Sequence, residues 1–183
     1  NKSELPNRHT GNPAWHPSGG FIVFQAQKAT APPNPISDYF ANPGSGINND
    51  VWVMDAQGAR FWRLTNVPLS VGGVLHPHFS PSGDRLLWSE RIGTGNGPLG
   101  EWALTVADFR VSDGVPRIEN ARRYQPGVQR RFYESHGFSP DGSKVIFSGN
   151  LEAGQEEAGG DIYTLDLTSG AVVNFTATSN QWD

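Results

Sequence analysis

Cysteine is absent from the 183 residues, which excludes disulfides, thiolate metal sites and a cysteine nucleophile together. Charge is scarce: 17% of residues are Asp, Glu, Lys or Arg, and the formal net charge is only −4. Without a basic surplus, nucleic acid is not the expected partner. No run approaches the ~18 apolar residues that a membrane-spanning helix needs, and no charged-then-apolar leader opens the sequence. Signatures of several enzyme classes are missing as well: the phosphate loop G-x-x-x-x-G-K-[ST], the zinc helix H-E-x-x-H and the nucleophile elbow G-x-S-x-G. Gly95–Gly100 formally spells G-x-G-x-x-G, but Pro98 lies inside it and a β-prone run follows. It reads as a loop, not a dinucleotide turn. No helical periodicity of useful length is found.

Turn formers and aromatics are plentiful, with 22 Gly, 14 Pro, ten Phe and six Trp. They recur in register. Asn12–Phe24, His76–Trp88 and Ser135–Phe147 each place an aromatic (Trp15, Phe79, Phe138) before a Pro-x-Gly turn and a short β-prone run. Pro17, Pro81 and Pro140 stand 64 and 59 residues apart. Because Pro and Gly preset the turn dihedrals, each segment reads as a hairpin of strands A and B. A second hairpin, C and D, follows in each unit: Asp50–Asp55 with Arg60–Thr65, Glu101–Asp108 with about Pro116–Tyr124, and Asp161–Asp166 with Ala171–Thr176. In the second unit a loop is expected between Asp108 and Pro116. Recurring aspartates (Asp50, Asp55, Asp84, Asp141, Asp161, Asp166) are expected to bond their own backbone at turn and strand ends, since no stretch has the carboxylate spacing of a calcium loop.

Four-stranded units of this period predict an all-β fold of the β-propeller kind. The sequence resembles the TolB-like propeller repeat, which reads Pro-x-aromatic-Ser-Pro-Asp-Gly, a strand, Asp-Ile-Tyr and then Leu-Thr. His136–Gly142, Asp161–Tyr163 and Arg63–Asn66 carry the likeness. The expected organisation is one propeller segment over 1–183, with blades over about 1–66, 67–127 and 128–183. Three blades would leave two bare sheet edges, a liability. Further blades from a longer parent chain, or a second copy, are therefore expected to close the ring. The resemblance also implies a periplasmic or extracellular protein.

In an up-and-down blade the B–C and D–A connections share one face, and here they are the long ones. His76 and His78 at the start of the second inner strand, and His136 and Glu134 in the third, are the candidate channel-mouth residues, while His16 belongs to the opposite end. Tyr39 and Phe40, on the long Pro-rich insertion, are candidate grips for a peptide or sugar. His76, His78 and His136 are also the candidate ligands for a divalent metal. The resemblance brings an oligogalacturonate lyase reading with it, in which such histidines hold the metal. Arg122, Arg123, Arg130 and Arg131 form a candidate anion patch. The leading expectation is a non-enzymatic module holding a protein, peptide or glycan, with no catalytic residue and no obligatory cofactor. The alternatives are a metal-dependent, polysaccharide lyase-like enzyme and the propeller domain of a larger hydrolase.

Overall fold

The structure is a computed structural model and describes residues 3, 5–32, 45–95, 100–127, 132–152 and 160–177. These residues form three four-stranded antiparallel sheets, each a simple meander in sequence order. The first holds β1 (Thr10–Trp15), β2 (Phe21–Gln27), β3 (Asn49–Asp55) and β4 (Phe61–Arg63). The second holds β5 (Gly73–Phe79), β6 (Arg85–Gly93), β7 (Glu101–Ser112) and β8 (Val115–Tyr124). The third holds β9 (Tyr133–Phe138), β10 (Lys144–Gly149), β11 (Asp161–Asp166) and β12 (Val172–Asn174). No α-helix occurs among the described residues.

The last hairpin of the second sheet differs from the sequence expectation. β7 runs on to Ser112, and the expected loop is a two-residue turn, Asp113-Gly114, with φ of 53° and 73°. Positive φ at both central residues is the type I′ geometry that matches strand twist, and Asp-Gly favours it. An Asp-Gly pair between β-prone runs was therefore a turn signal, not a loop signal.

The sheets pack face to face in sequence order. Alternation along the strands gives each sheet a face toward the preceding sheet and a face toward the next. Val23, Val51 and Val53 of the first sheet pack on Phe79, Leu86, Trp88 and Phe109 of the second. Leu87, Leu104 and Val106 of the second pack on Val145, Phe147 and Tyr163 of the third. Each fully buried apolar side chain of this size contributes about 1.5–3 kcal/mol, so the layered stack is held by its apolar faces. Inner strand β5 lies against the first sheet and β9 against the second.

Of the six recurring aspartates, Asp84 accepts the Ser80 and Ser82 hydroxyls within its turn, and the other five divide into two groups. Asp55, Asp141 and Asp166 accept from local backbone N–H groups, at Ala59 (2.7 Å), Ser143 (3.0 Å) and Thr168 (3.0 Å). Asp50 and Asp161 do not follow that expectation. Each stands at the start of the third strand of its sheet and reaches the end of the fourth, where it accepts the hydroxyl of Thr65 (3.1 Å) or Thr176 (2.8 Å). The same threonines accept the next N–H of the third strand, from Val51 (2.9 Å) or Ile162 (3.1 Å). The fourth strands are only three residues long, and this clasp satisfies the backbone where their ladder stops. It gives the Asp…Leu-Thr spacing of the repeat a physical cause.

Candidate functional site

Every inner strand carries the same irregularity. Two residues oppose one on the neighbouring strand: Asn12 and Pro13 face Phe24, His76 and Pro77 face Trp88, and Ser135 and His136 face Phe147. This is a β-bulge, which bends the strand and re-aims side chains. Asn12 and His76 adopt positive φ, 51° and 49°, while in the third sheet Gly137 takes it at 136°. Positive φ is uncommon for non-glycine residues, and Asn and His tolerate it best.

A bulge frees a backbone N–H from the ladder, and the preceding sheet accepts it. His76 N–H donates to Gln25 Oε1 (3.2 Å), which also accepts from Asn12 Nδ2 (2.9 Å). One sheet on, Ser135 N–H donates to Ser89 Oγ (2.8 Å). The Ser89 hydroxyl donates to Ser135 Oγ (3.1 Å), and that hydroxyl donates to the His76 carbonyl (2.9 Å). Gln25, Ser89 and Ser135 are fully buried. Sequence reasoning passed over this row. Its signal was a polar residue eight positions after each turn proline (Gln25, Ser89, Ser148) in strands otherwise rich in apolar residues.

The bulges bring four of the expected residues together. The His76 and His136 rings lie 5.8 Å apart in an edge-on arrangement. His76 Nε2 stands 2.9 Å from Glu134 Oε1. The imidazole and the carboxylate hold each other across this contact. His136 Nε2 and Ser148 Oγ share a hydrogen bond at 3.1 Å. His78 is pushed down to about 4, by burial first and then by the His76 and His136 imidazoles. His136 is exposed in area, yet desolvation is the largest influence on it and lowers its pKa, with Glu134 acting the other way. The Glu134 carboxyl is held below its usual range, chiefly by His76. At neutral pH the cluster therefore presents one carboxylate beside the neutral imidazoles of His78 and His136.

Among the described residues no three His, Asp or Glu side chains are arranged to hold a metal ion. His76, His78 and His136 share a neighbourhood without forming such a set. Ser148 and His136 have nucleophile–base spacing, but Glu134 turns to His76 instead of orienting His136, so the triad geometry is not assembled.

The other expected residues fall elsewhere. His16 sits at the turn end, where Nε2 lies 3.0 Å from the Gly83 carbonyl and the ring packs edge-on against Phe79. Arg123 is engaged by Glu90 through two bonds, 3.1 and 2.7 Å, and Arg122 is exposed beside it. Tyr39, Phe40, Arg130 and Arg131 lie outside the described residues. A wider cleft on the first sheet is lined by Lys28, Asp50, Trp52, Trp62, Arg63 and Asn66. Its buried charges are spent on each other, with Lys28 Nζ 2.6 Å from Asp50 Oδ2, so we place the candidate site at the inner strands.

Three meandering four-stranded sheets, stacked in order with their first strands innermost, define a β-propeller segment. Solved structures agree. A TolB structure from Agrobacterium tumefaciens matches over 92% of this chain and 46% of its own, with 15% identity and a TM-score of 0.57. TolB from Acinetobacter baumannii matches over 94% and 34%, with 19% identity and a TM-score of 0.58. Oligogalacturonate lyase from Vibrio parahaemolyticus matches over 96% and 39%, with 14% identity and a TM-score of 0.53. The fold is therefore that of the TolB-like β-propellers, and the chain spans about a third to a half of the length of these structures. No family model and no curated protein matches the sequence. Among the described residues no helix is long and apolar enough to cross a membrane.

Proposed function

We propose that this chain is a non-enzymatic binding module whose loop end, around the mouth of the inner strands, holds a protein, peptide or glycan. The observation that carries the reading is the row of polar groups at the bulges. Glu134, His76 and His136 stand together on rigid strands, with the His76 and Glu134 side chains each 23% exposed. Pre-positioned polar groups on rigid elements are what a recognition site requires. The TolB likeness supports the fold of such a module, and function is argued from the site alone. A periplasmic or secreted location accompanies this reading.

The test is to screen the purified chain against immobilised peptide and oligosaccharide arrays, then repeat any positive with Glu134→Gln and His76→Ala. Binding that falls at least about tenfold in both variants, with the far-UV spectrum unchanged, supports the reading. Binding indifferent to both, or stoichiometric metal that His76→Ala and His136→Ala each remove, sinks it.

A further inference from the structure

The middle sheet ends on an outer strand unlike those beside it. β8 holds ten residues, whereas β4 and β12 hold three each. Its pairing with β7 runs on past Asp108, the last partner of β6, so Phe109–Ser112 and Val115–Ile118 stand out as a two-stranded arm. A free hairpin is marginal in water. This one is anchored on one face, where Phe109 and Pro116 are buried and Ile118 packs toward the first sheet. Along the outer edge of β8 every second residue turns its N–H and C=O away from β7, and among the described residues no strand takes them up. The first and third sheets cover the two faces of the middle one. Any further sheet would therefore stack on those two and leave this edge at the rim.

The face of β8 turned away from the anchor is basic. Arg117, Glu119 and Arg122 oppose Arg110, Asp108 and Val106, alternate residues of β7, and so share that face. A bulge makes this possible. Asn120 and Ala121 together oppose Ala107, Asn120 takes a φ of 51°, and its Nδ2 donates to Asp108 Oδ2 (2.8 Å). Without the extra residue Arg122 would point to the other side. Arg110 and Arg123 are held by Asp108 (3.7 Å) and Glu90 (2.7 Å). Arg117 and Arg122 are exposed, and among the described residues neither guanidinium has a partner. A groove beside Arg122 is lined by Arg85, Asn120, Tyr124 and Thr168, and Arg85 brings a second positive charge there. On a chain of formal net charge −4 this is a local reversal of sign.

We propose that the outer edge of β8 receives an extended acidic peptide, which adds a strand to the middle sheet. The peptide's N–H and C=O groups complete the open ladder, the strand-addition mode of recognition; a glycan has no such ladder to offer. Two peptide carboxylates meet Arg117 and Arg122. The β7 partners of these arginines, Arg110 and Val106, are four residues apart, about 13 Å of extended chain, so the carboxylates must also be four residues apart. The residue midway between them faces Glu119 and must be neutral or basic. Val115, 37% exposed on the same face, gives an apolar contact at the tip of the arm. This surface is separate from the loop end and does not depend on what binds there.

Fluorescence anisotropy of a labelled threonine decapeptide, with Glu at its third and seventh places, tests the proposal on the 183-residue chain. The peptide is expected to bind. Binding is expected to fall at least about fivefold when the second Glu is moved to the sixth place, where it points to the other face. Methylation of the peptide nitrogens, which removes the ladder but keeps the charge, should do the same. Arg117→Glu and Arg122→Glu should each weaken binding by at least as much, and Glu119→Gln should strengthen it. The far-UV spectrum should stay unchanged, since all three side chains are exposed. No measurable binding, or binding indifferent to the Glu spacing, to methylation or to both arginine variants, overturns the proposal. So does a loss of binding in Glu134→Gln, which would place the peptide at the loop end.

Discussion

Asp50→Asn should be among the most damaging single-atom changes available to this chain. The Asp50 and Lys28 side chains are 1% and 7% exposed, and Lys28 Nζ lies 2.6 Å from Asp50 Oδ2 and 2.7 Å from Asn66 Oδ1. The other carboxylate oxygen accepts Val67 N–H (2.8 Å) and the Thr65 hydroxyl (3.1 Å). Asparagine must aim its NH₂ group at one of these sets, so a donor faces a donor whichever way it turns, and the ammonium stays buried without its counter-charge. Breaking a buried pair from one side costs about 3–5 kcal/mol. Asp161→Asn is the internal comparison. Asp161 holds the same place in the third sheet, where it accepts from Thr176 and from Asn174 Nδ2 (2.9 Å). These partners are neutral and no buried ammonium loses its counter-charge, so the cost there should be about 1–3 kcal/mol, that of disturbed hydrogen bonds. A difference near 2 kcal/mol would separate the melting midpoints by roughly 4–8 °C at this length. Urea unfolding followed by tryptophan fluorescence reads both variants. Equal losses would refute the argument, because the burial of Lys28 would then add nothing.

Three further outcomes follow from the same geometry. Ser89→Ala should cost about 1–3 kcal/mol in urea unfolding, because it strands the buried Ser135 N–H, and adding Ser135→Ala should cost much less than a second independent loss. Gly83→Ala and Gly170→Ala both force a left-handed residue (φ +77° and +74°), but only at Gly83 does the added Cβ meet a neighbour, 2.4 Å from His16 Nε2; both should lose about 1–2 kcal/mol, with Gly83→Ala losing clearly more. His78 should titrate near 4 by NMR against an ordinary 6.5; because the unfolded chain takes up that proton first, its contribution to stability is present above about 6.5 and is lost as pH falls toward 4, and His78→Asn should flatten that slope.

The hairpins were legible because their causes are local. Pro17, Pro81 and Pro140 with their glycines fix the turns, and the runs from Phe21, Leu86 and Val145 follow directly. The histidine neighbourhood could be anticipated in outline because His76 and His136 fall on corresponding inner strands, although each is the fourth residue of its strand and not at its start as the sequence suggested. The bulges could not be: an extra residue in one strand leaves no mark in a period-two pattern that a polar pair does not already blur. The clasp from Asp50 to Thr65 spans 15 residues, and its register depends on where a three-residue strand ends. The pairing of His76 with Glu134 joins residues 58 positions apart in sequence, which only the stacking of sheets decides.

The polar place eight residues after each turn proline has a consequence for how such chains can be rearranged. Gln25 and Ser89 differ in length and chemistry, yet each offers one acceptor to the amide of the sheet behind it. The polar half of the joint between units is therefore a generic fitting, met by any side chain that brings one acceptor to the bulged first strand of the next unit. A unit moved within this chain would keep the polar half of its joint, and only its apolar face would need matching to its new neighbour.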